Sequence, residues 1–230
     1  MRTVKNPVER RNEILDCAEG LFGSKGYLQT TINDVLEALG IAKGTFYYYF
    51  KSKEQLMEAV VMRFIEEGEA VAKVIAEDKT LSALEKMRIL ISGPGPDNKR
   101  KDMAIDQMHQ SGNAEMHQMS LVETVRRFTP LLALIVEQGI EEGVFKTSQP
   151  YETVEFVLAG SEFLLDTGIF HWSAQDLIKR AKAMSVIMET LLGAEPGTFD
   201  YIYTRYEEML SNQQNTETSI EMDAALASAV

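Results

Sequence analysis

The chain has a single cysteine, Cys17, in 230 residues. An internal disulfide is therefore excluded, and a lone thiol suits a reducing cytoplasm. Its neighbours Ile14, Leu15 and Ala18 make Cys17 a small core residue rather than a nucleophile. No apolar run exceeds the six residues Leu131 to Val136, far below the roughly 20 that a bilayer-spanning helix requires. Residues 1–11 are polar and charged and no apolar stretch with a cleavage-type end follows, so no secretory signal is expected. Glycine and proline together number 21, too few for a collagenous or broadly disordered chain. Three histidines, His109, His117 and His171, are all there are. They form no HExxH pattern, and a two-histidine site with unidentified partners is a weak basis for a metalloenzyme. GxSxG, P-loop and dinucleotide fingerprints are missing as well. No catalytic residue, metal or cofactor is assigned.

Positive charge is the scarcer sign, with 23 Lys and Arg against 35 Asp and Glu and a net charge of −12. The deficit is uneven. Residues 1–54 carry eight basic and seven acidic side chains, whereas residues 55–230 carry fifteen and twenty-eight. An acidic body repels polyanions and anionic membranes, so nucleic-acid contact is confined to the first part.

What is present is helical periodicity nearly throughout. Val8 to Phe22 places Ile14, Leu15, Ala18, Leu21 and Phe22 on one face, with Gly26 past its end. Thr31 to Asp34 has capping-box spacing, and Ile32, Val35, Leu36 and Leu39 follow as an apolar face closed by Gly40. A short helix, Lys43 to Phe50, comes three residues later. Ser52 to Gln55 is a second capping-box pattern, opening a helix with Leu56, Val60, Val61, Phe64 and Val71 inward. Helices are expected over Thr80 to Ile91, Asp97 to Gln110, Asn113 to Glu142 with a kink at Pro130, Tyr151 to His171, Ala174 to Leu192 and Thr198 to Leu210. Ser92-Gly93-Pro94-Gly95-Pro96 breaks the chain as a linker. No segment alternates with period 2. The fold class is all-α: an N-terminal three-helix domain with a helix-turn-helix over 1–54, a larger helical domain over 55–210, and a mobile tail over 211–230.

Five of the 19 aromatics stand consecutively in Phe46-Tyr47-Tyr48-Tyr49-Phe50, among Lys43, Lys51 and Lys53. Two short helices joined by Gly40-Ile41-Ala42 have the dimensions of a helix-turn-helix, whose second helix can enter the major groove. Phe46 and Phe50 then lie inward at helical spacing, with Tyr49 partly so. Tyr47 and Tyr48 face outward beside Lys43, where a phenol packs its ring on the domain and reaches a phosphate oxygen. Gly44 clears the helix for close approach, and Thr45 offers a methyl and a hydroxyl to base edges. Lys53 adds charge to the first turn of the next helix, and Thr30 and Thr31 open the preceding one, at amides aimed at phosphate. A plain core with a wet edge and solvated lysines fits the same letters. A protein-interaction module would suit the acidic helices but leaves Lys43, Tyr47, Tyr48 and Lys53 without a role.

The ordered set Arg11, Ile14-Leu15, Leu21-Phe22, Gly26-Tyr27, Thr30-Thr31-Ile32 and Gly40 through Lys53 resembles the DNA-binding domain of the TetR family of transcriptional regulators. A weaker likeness covers Phe128 to Leu132, Gln138-Gly139-Ile140, Gly143-Val144-Phe145 and Pro150. At Ala42 the family most often has a serine, whose hydroxyl caps the recognition helix. The resemblance implies a DNA-binding regulator, most often a repressor, that binds a palindromic operator as a homodimer and is released by a small molecule. It implies pairing through the last two long helices, where Leu158, Leu165, Ile169, Met184 and Met188 are candidates. The pocket it implies is sought at Met103, Met108, His109, Asn113, Met116, His117 and Glu162, although ordinary core methionines and surface histidines fit these as well. Glu162 and Asp166 could orient a ligand, or face solvent or the partner. No membrane contact is expected.

Overall fold

In the computed structural model, residues 6–93, 114–204 and 206–208 are described, and every regular element among them is a helix. The expected helix over Asp97 to Gln110, and the tail, lie outside the described residues.

Helix α1 (Pro7–Lys25) starts where Asn6 accepts a hydrogen bond from the Val8 amide and Pro7 occupies the first turn. It ends at Gly26, whose amide donates to the Phe22 carbonyl. Helix α2 (Ile32–Leu39) opens with the expected box: the Asp34 amide donates to Thr31 Oγ1, while Asp34 Oδ2 receives the Thr31 amide at 2.6 Å. Gly40 ends it in the left-handed region, φ 60°, and the Ile41 amide turns back to the Leu36 carbonyl. Helix α3 (Lys43–Tyr49) follows at once. Helix α4 (Lys53–Glu77) opens on half of the expected box, since the Gln55 amide donates to Ser52 Oγ but Gln55 Oε1 takes the Lys51 amide instead.

Chain packing divides these elements into two units. The first holds residues 6–71 together with 114–124 of the described chain; the second holds the rest. In the first, Ile14, Leu15, Ala18, Phe22, Tyr27, Val35, Phe46, Phe50, Leu56, Val60 and Val61 form one core. Arg63 ties α4 to α1 through Asp16 and Glu19. Val71, expected inward, is 57% exposed, because the apolar face of α4 has rotated past it to Ala72 and Ala76.

The second unit contains α5 (Ala83–Ser92), most of α6 (Ala114–Glu141), α7 (Pro150–Leu164), α8 (Thr167–Phe170), α9 (Ala174–Leu192) and a helical stretch over 201–204 and 206–208. Helix α5 starts three residues later than expected. Thr80 is held in a turn by Asp78 Oδ1, and a Ser82–Glu85 capping box sets the start. The helix expected from Tyr151 to His171 is two. Asp166 Oδ1 accepts the amides of Gly168 and Ile169 and caps α8, while Trp172 Nε1 covers the Leu164 carbonyl at 2.9 Å. The Asp166 carboxylate is thus part of a cap. The last helix begins at 201 rather than 198, after a turn.

The core of this unit gathers Ala83, Met87, Ile135, Val136, Phe145, Val154, Val157, Ala181, Met184, Met188, Leu192 and Phe199. A buried polar node crosses it. Lys86, 2% exposed, donates from Nζ to the Ala76 carbonyl and to Gln138 Oε1, each at 2.7 Å, and Gln138 Nε2 donates to the Leu81 carbonyl. The end of α4, α5 and α6 are thereby pinned together, with the buried charge hydrogen-bonded as burial demands.

Candidate nucleic-acid interface

Helix α3 is seven residues long and is held from beneath. Phe46 is fully buried and Phe50 nearly so, with ring centroids 6.0 Å apart. The Tyr47 ring stands edge-on to Phe46 and is half-buried. That anchoring leaves Lys43, Gly44 and Tyr48 outward, with Tyr48 71% exposed. Thr45 and Tyr49 sit at the border, half-buried, and Tyr49 packs edge-to-face on Tyr48 at 4.9 Å. The Lys43 ammonium lies 5.8 Å from the Tyr47 ring centre, so the charge and the phenol share one patch. A Cβ built on Gly44 would meet nothing within 4 Å. Its φ is not in the left-handed region, so neither backbone strain nor crowding inside the chain calls for glycine there.

The residues flanking α3 behave differently from its own. Thr30 is buried, and its hydroxyl donates to the Gly26 carbonyl at 2.7 Å, so its side chain faces inward rather than toward a ligand. Thr31 is exposed, but its hydroxyl is tied to Asp34 Oδ2 at 2.9 Å. The same oxygen receives Lys25 Nζ at 2.7 Å. These bonds, that from Lys25 first and then those from the Thr31 amide and hydroxyl, pull the Asp34 carboxyl down to about 2. Lys53 Nζ lies 3.0 Å from each of the Tyr27 and Thr30 carbonyls and 4.2 Å from the Tyr27 ring centre. Burial, with Glu54 and Glu58 nearby, raises the Tyr27 phenol to about 12. Lys51, on the rim, donates to the Tyr47 carbonyl. Ala42 caps α3 without a side-chain hydrogen bond.

Of the residues sought for a ligand pocket, Met103, Met108, His109 and Asn113 lie outside the described residues. Met116 is buried in the core of the first unit, with Phe46 and Leu56. His117 is half-buried, and its carbonyl accepts from Ser120 Oγ. Glu162 is half-buried on α7.

The dimer candidates divide. Leu158, Leu165 and Ile169 are half-buried, whereas Met184 and Met188 are 7% and 5% exposed inside their own chain's core. The two methionines are therefore unavailable to a partner. The open apolar side chains on these helices are others: Phe156, Phe163 and Leu164 on α7, and Val186, Ile187 and Leu191 on α9. Their signal is that each helix has apolar residues on two faces, more than burial in one core uses.

A short, basic, tyrosine-bearing helix braced on a buried phenylalanine pair, after a capped helix and a tight glycine turn, defines a helix-turn-helix DNA-binding protein. Comparison with known proteins gives the family. The model for bacterial regulatory proteins of the tetR family matches residues 14–60, and a tetracyclin repressor-like C-terminal domain matches 98–187. The HTH-type transcriptional repressor KstR2 of Rhodococcus jostii is 30% identical over 146 residues, 60% of this chain and 69% of that one. Its counterpart in Mycolicibacterium smegmatis is 29% identical over 147 residues, 63% and 71%. Among solved structures, SmeT, the repressor of the Stenotrophomonas maltophilia multidrug efflux pump SmeDEF, superposes with a TM-score of 0.53 at 18% identity, over 82% of this chain and 92% of that chain. That likeness is one of fold. The chain belongs to the TetR family of transcriptional regulators, which are not enzymes. No helix among the described residues is long and apolar enough to cross a membrane.

Proposed function

We propose that this chain is a ligand-controlled repressor that binds a two-fold symmetric operator as a homodimer. Residues 1–54 read DNA, and residues 55–210 bind the effector and the second copy. The observation that carries the reading is the division of α3: Phe46 and Phe50 fix it from within while Lys43, Gly44 and Tyr48 are presented outward. In the major groove, Gly44 lets the helix backbone approach, Thr45 meets base edges, and Lys43, Tyr47 and Tyr48 reach phosphates. Tyr49 supports Tyr48 from the side.

Two copies are needed because one seven-residue helix reads only a few base pairs. A dimer places two such helices on half-sites about one turn of DNA apart or a multiple of it. The exposed apolar side chains of α7 and α9 support pairing there. Repression is favoured by the similarity to the repressor KstR2, and a small-molecule effector by the solved complex of SmeT with triclosan. The effector must prefer the non-binding form by roughly 5.5 kcal/mol to turn a 1:99 balance into 99:1.

The test is selection of bound fragments from the source genome by the full-length protein, followed by mobility-shift titration across salt concentrations. A symmetric site bound with steep salt dependence is the expected result. Absence of salt-sensitive binding to any duplex would sink the reading.

A further inference from the structure

We infer that Lys53 is a clasp that closes the helix-turn-helix and positions α3, and that its charge is spent inside the domain rather than on a DNA phosphate. This rests on the DNA-binding reading above and assigns one residue within it. Lys53 is the first residue of α4, where the positive end of the helix dipole disfavours a cation. Its ammonium is turned away from the helix end and bonded to the carbonyls of Tyr27 and Thr30, in the turn between α1 and α2, at 3.0 Å each. The face of the Tyr27 ring lies 4.2 Å away, and Tyr27 is itself buried edge-to-face on Phe22.

The chain between Thr30 and Lys53 is the whole of α2, the glycine turn and α3. One ammonium therefore joins the base of that segment at both ends, before Thr31 and after Ser52. The partners are rigid. Thr30 is fixed by its hydroxyl on the Gly26 carbonyl and by its amide on the carbonyls of Gly26 and Tyr27. Releasing Lys53 to a phosphate would forfeit two charge-assisted hydrogen bonds and a cation–π contact. Lys43, by contrast, is exposed on α3.

The experiment uses the full chain, its selected fragment and a random-sequence duplex, with the variants Lys53→Met, Lys53→Arg and Lys43→Met. Lys53→Met is expected to weaken binding to the selected fragment at least tenfold while leaving the slope of log K against log salt unchanged. Lys53→Arg, which keeps the donors, should recover most of the affinity. Lys43→Met should lower the slope by about 0.9 per subunit if its charge meets a phosphate. A drop of that size in Lys53→Met, or unchanged affinity, overturns the clasp. Should Lys53→Met fail to fold, the wild-type side-chain NMR signal of Lys53 decides: unmoved on adding DNA supports the clasp, and a shift like that of Lys43 overturns it. If the wild type binds no duplex, the DNA reading fails separately. Amide hydrogen exchange over residues 31–52 then still tests the clasp, with faster exchange in Lys53→Met expected and unchanged exchange overturning it.

Discussion

The ring of Phe145 occupies the place where a side chain on Gly139 would be. A Cβ built on Gly139 falls well inside contact distance of that ring, and the amides of Val144 and Phe145 both return to the Gly139 carbonyl. Gly139→Ala should destabilise the protein by about 1–3 kcal/mol, the usual range for overpacking a close-packed core. A lowered urea midpoint with unchanged slope is the expected observation; an unchanged midpoint would show that the ring swings aside freely.

Gly44 is the reverse case, a glycine that nothing in the chain requires. Gly44→Ala should leave the free protein as stable or raise it by up to about 1 kcal/mol, from helix propensity. DNA affinity should nevertheless fall, and fall more on the selected fragment than on random duplex. Equal affinities for wild type and variant would show that α3 keeps its distance from the groove.

Ala42 sits in extended backbone at the head of α3 with no side-chain cap. Ala42→Ser supplies the missing acceptor and should stabilise by about 0.5–2 kcal/mol. Operator affinity should hold or improve. Markedly weaker binding in a mobility shift would mean the added hydroxyl points at the DNA instead of at the helix.

Asp34 gives the domain an acid-sensitive joint. Its carboxyl is lowered from 3.8 to about 2 in the folded chain. A depressed pKa contributes stability above the unfolded value, and that stability disappears as pH falls from about 4 toward 2. Wild type should therefore be more stable than Asp34→Asn at pH 7, and the gap should shrink through this window. A gap undiminished between pH 7 and pH 2 would show that the bonds to Lys25 and Thr31 do not depend on the charge.

On the dimer face proposed above, Phe156→Asp combined with Ile187→Asp should give a folded monomer by sedimentation, with DNA binding weakened. Met188→Ala should instead cost about 2–5 kcal/mol of stability through the cavity it leaves. If the charged pair leaves the dimer intact, the faces of α7 and α9 are not where the copies meet.

Much of this was legible because the signals are local. Thr31, Asp34 and Gly40 mark the ends of α2 within ten residues, and Phe46 and Phe50 mark the inner face of α3 by spacing alone. Thr30 and Thr31 are indistinguishable as letters, and only the turn decides which hydroxyl goes inward. Lys53 reads as a phosphate contact from its letters, because its partners are backbone carbonyls 26 and 23 residues away that no local pattern signals. Periodicity found the buried stripe with Met184 and Met188, but it does not say whether the same chain or another covers a stripe. The break at Leu165 was hidden because the apolar pattern runs on past a single capping aspartate.

Helix α6 has its head in one core, through Met116, and its tail in the other, through Ile135 and Val136. The matched N-terminal family region, residues 14–60, does not contain Met116. A reader head exchanged between relatives at a seam near residue 60 would thus arrive with a methionine-sized hole. The first turns of α6 would have to travel with the graft, so the interchangeable part of this regulator is two stretches of chain rather than one.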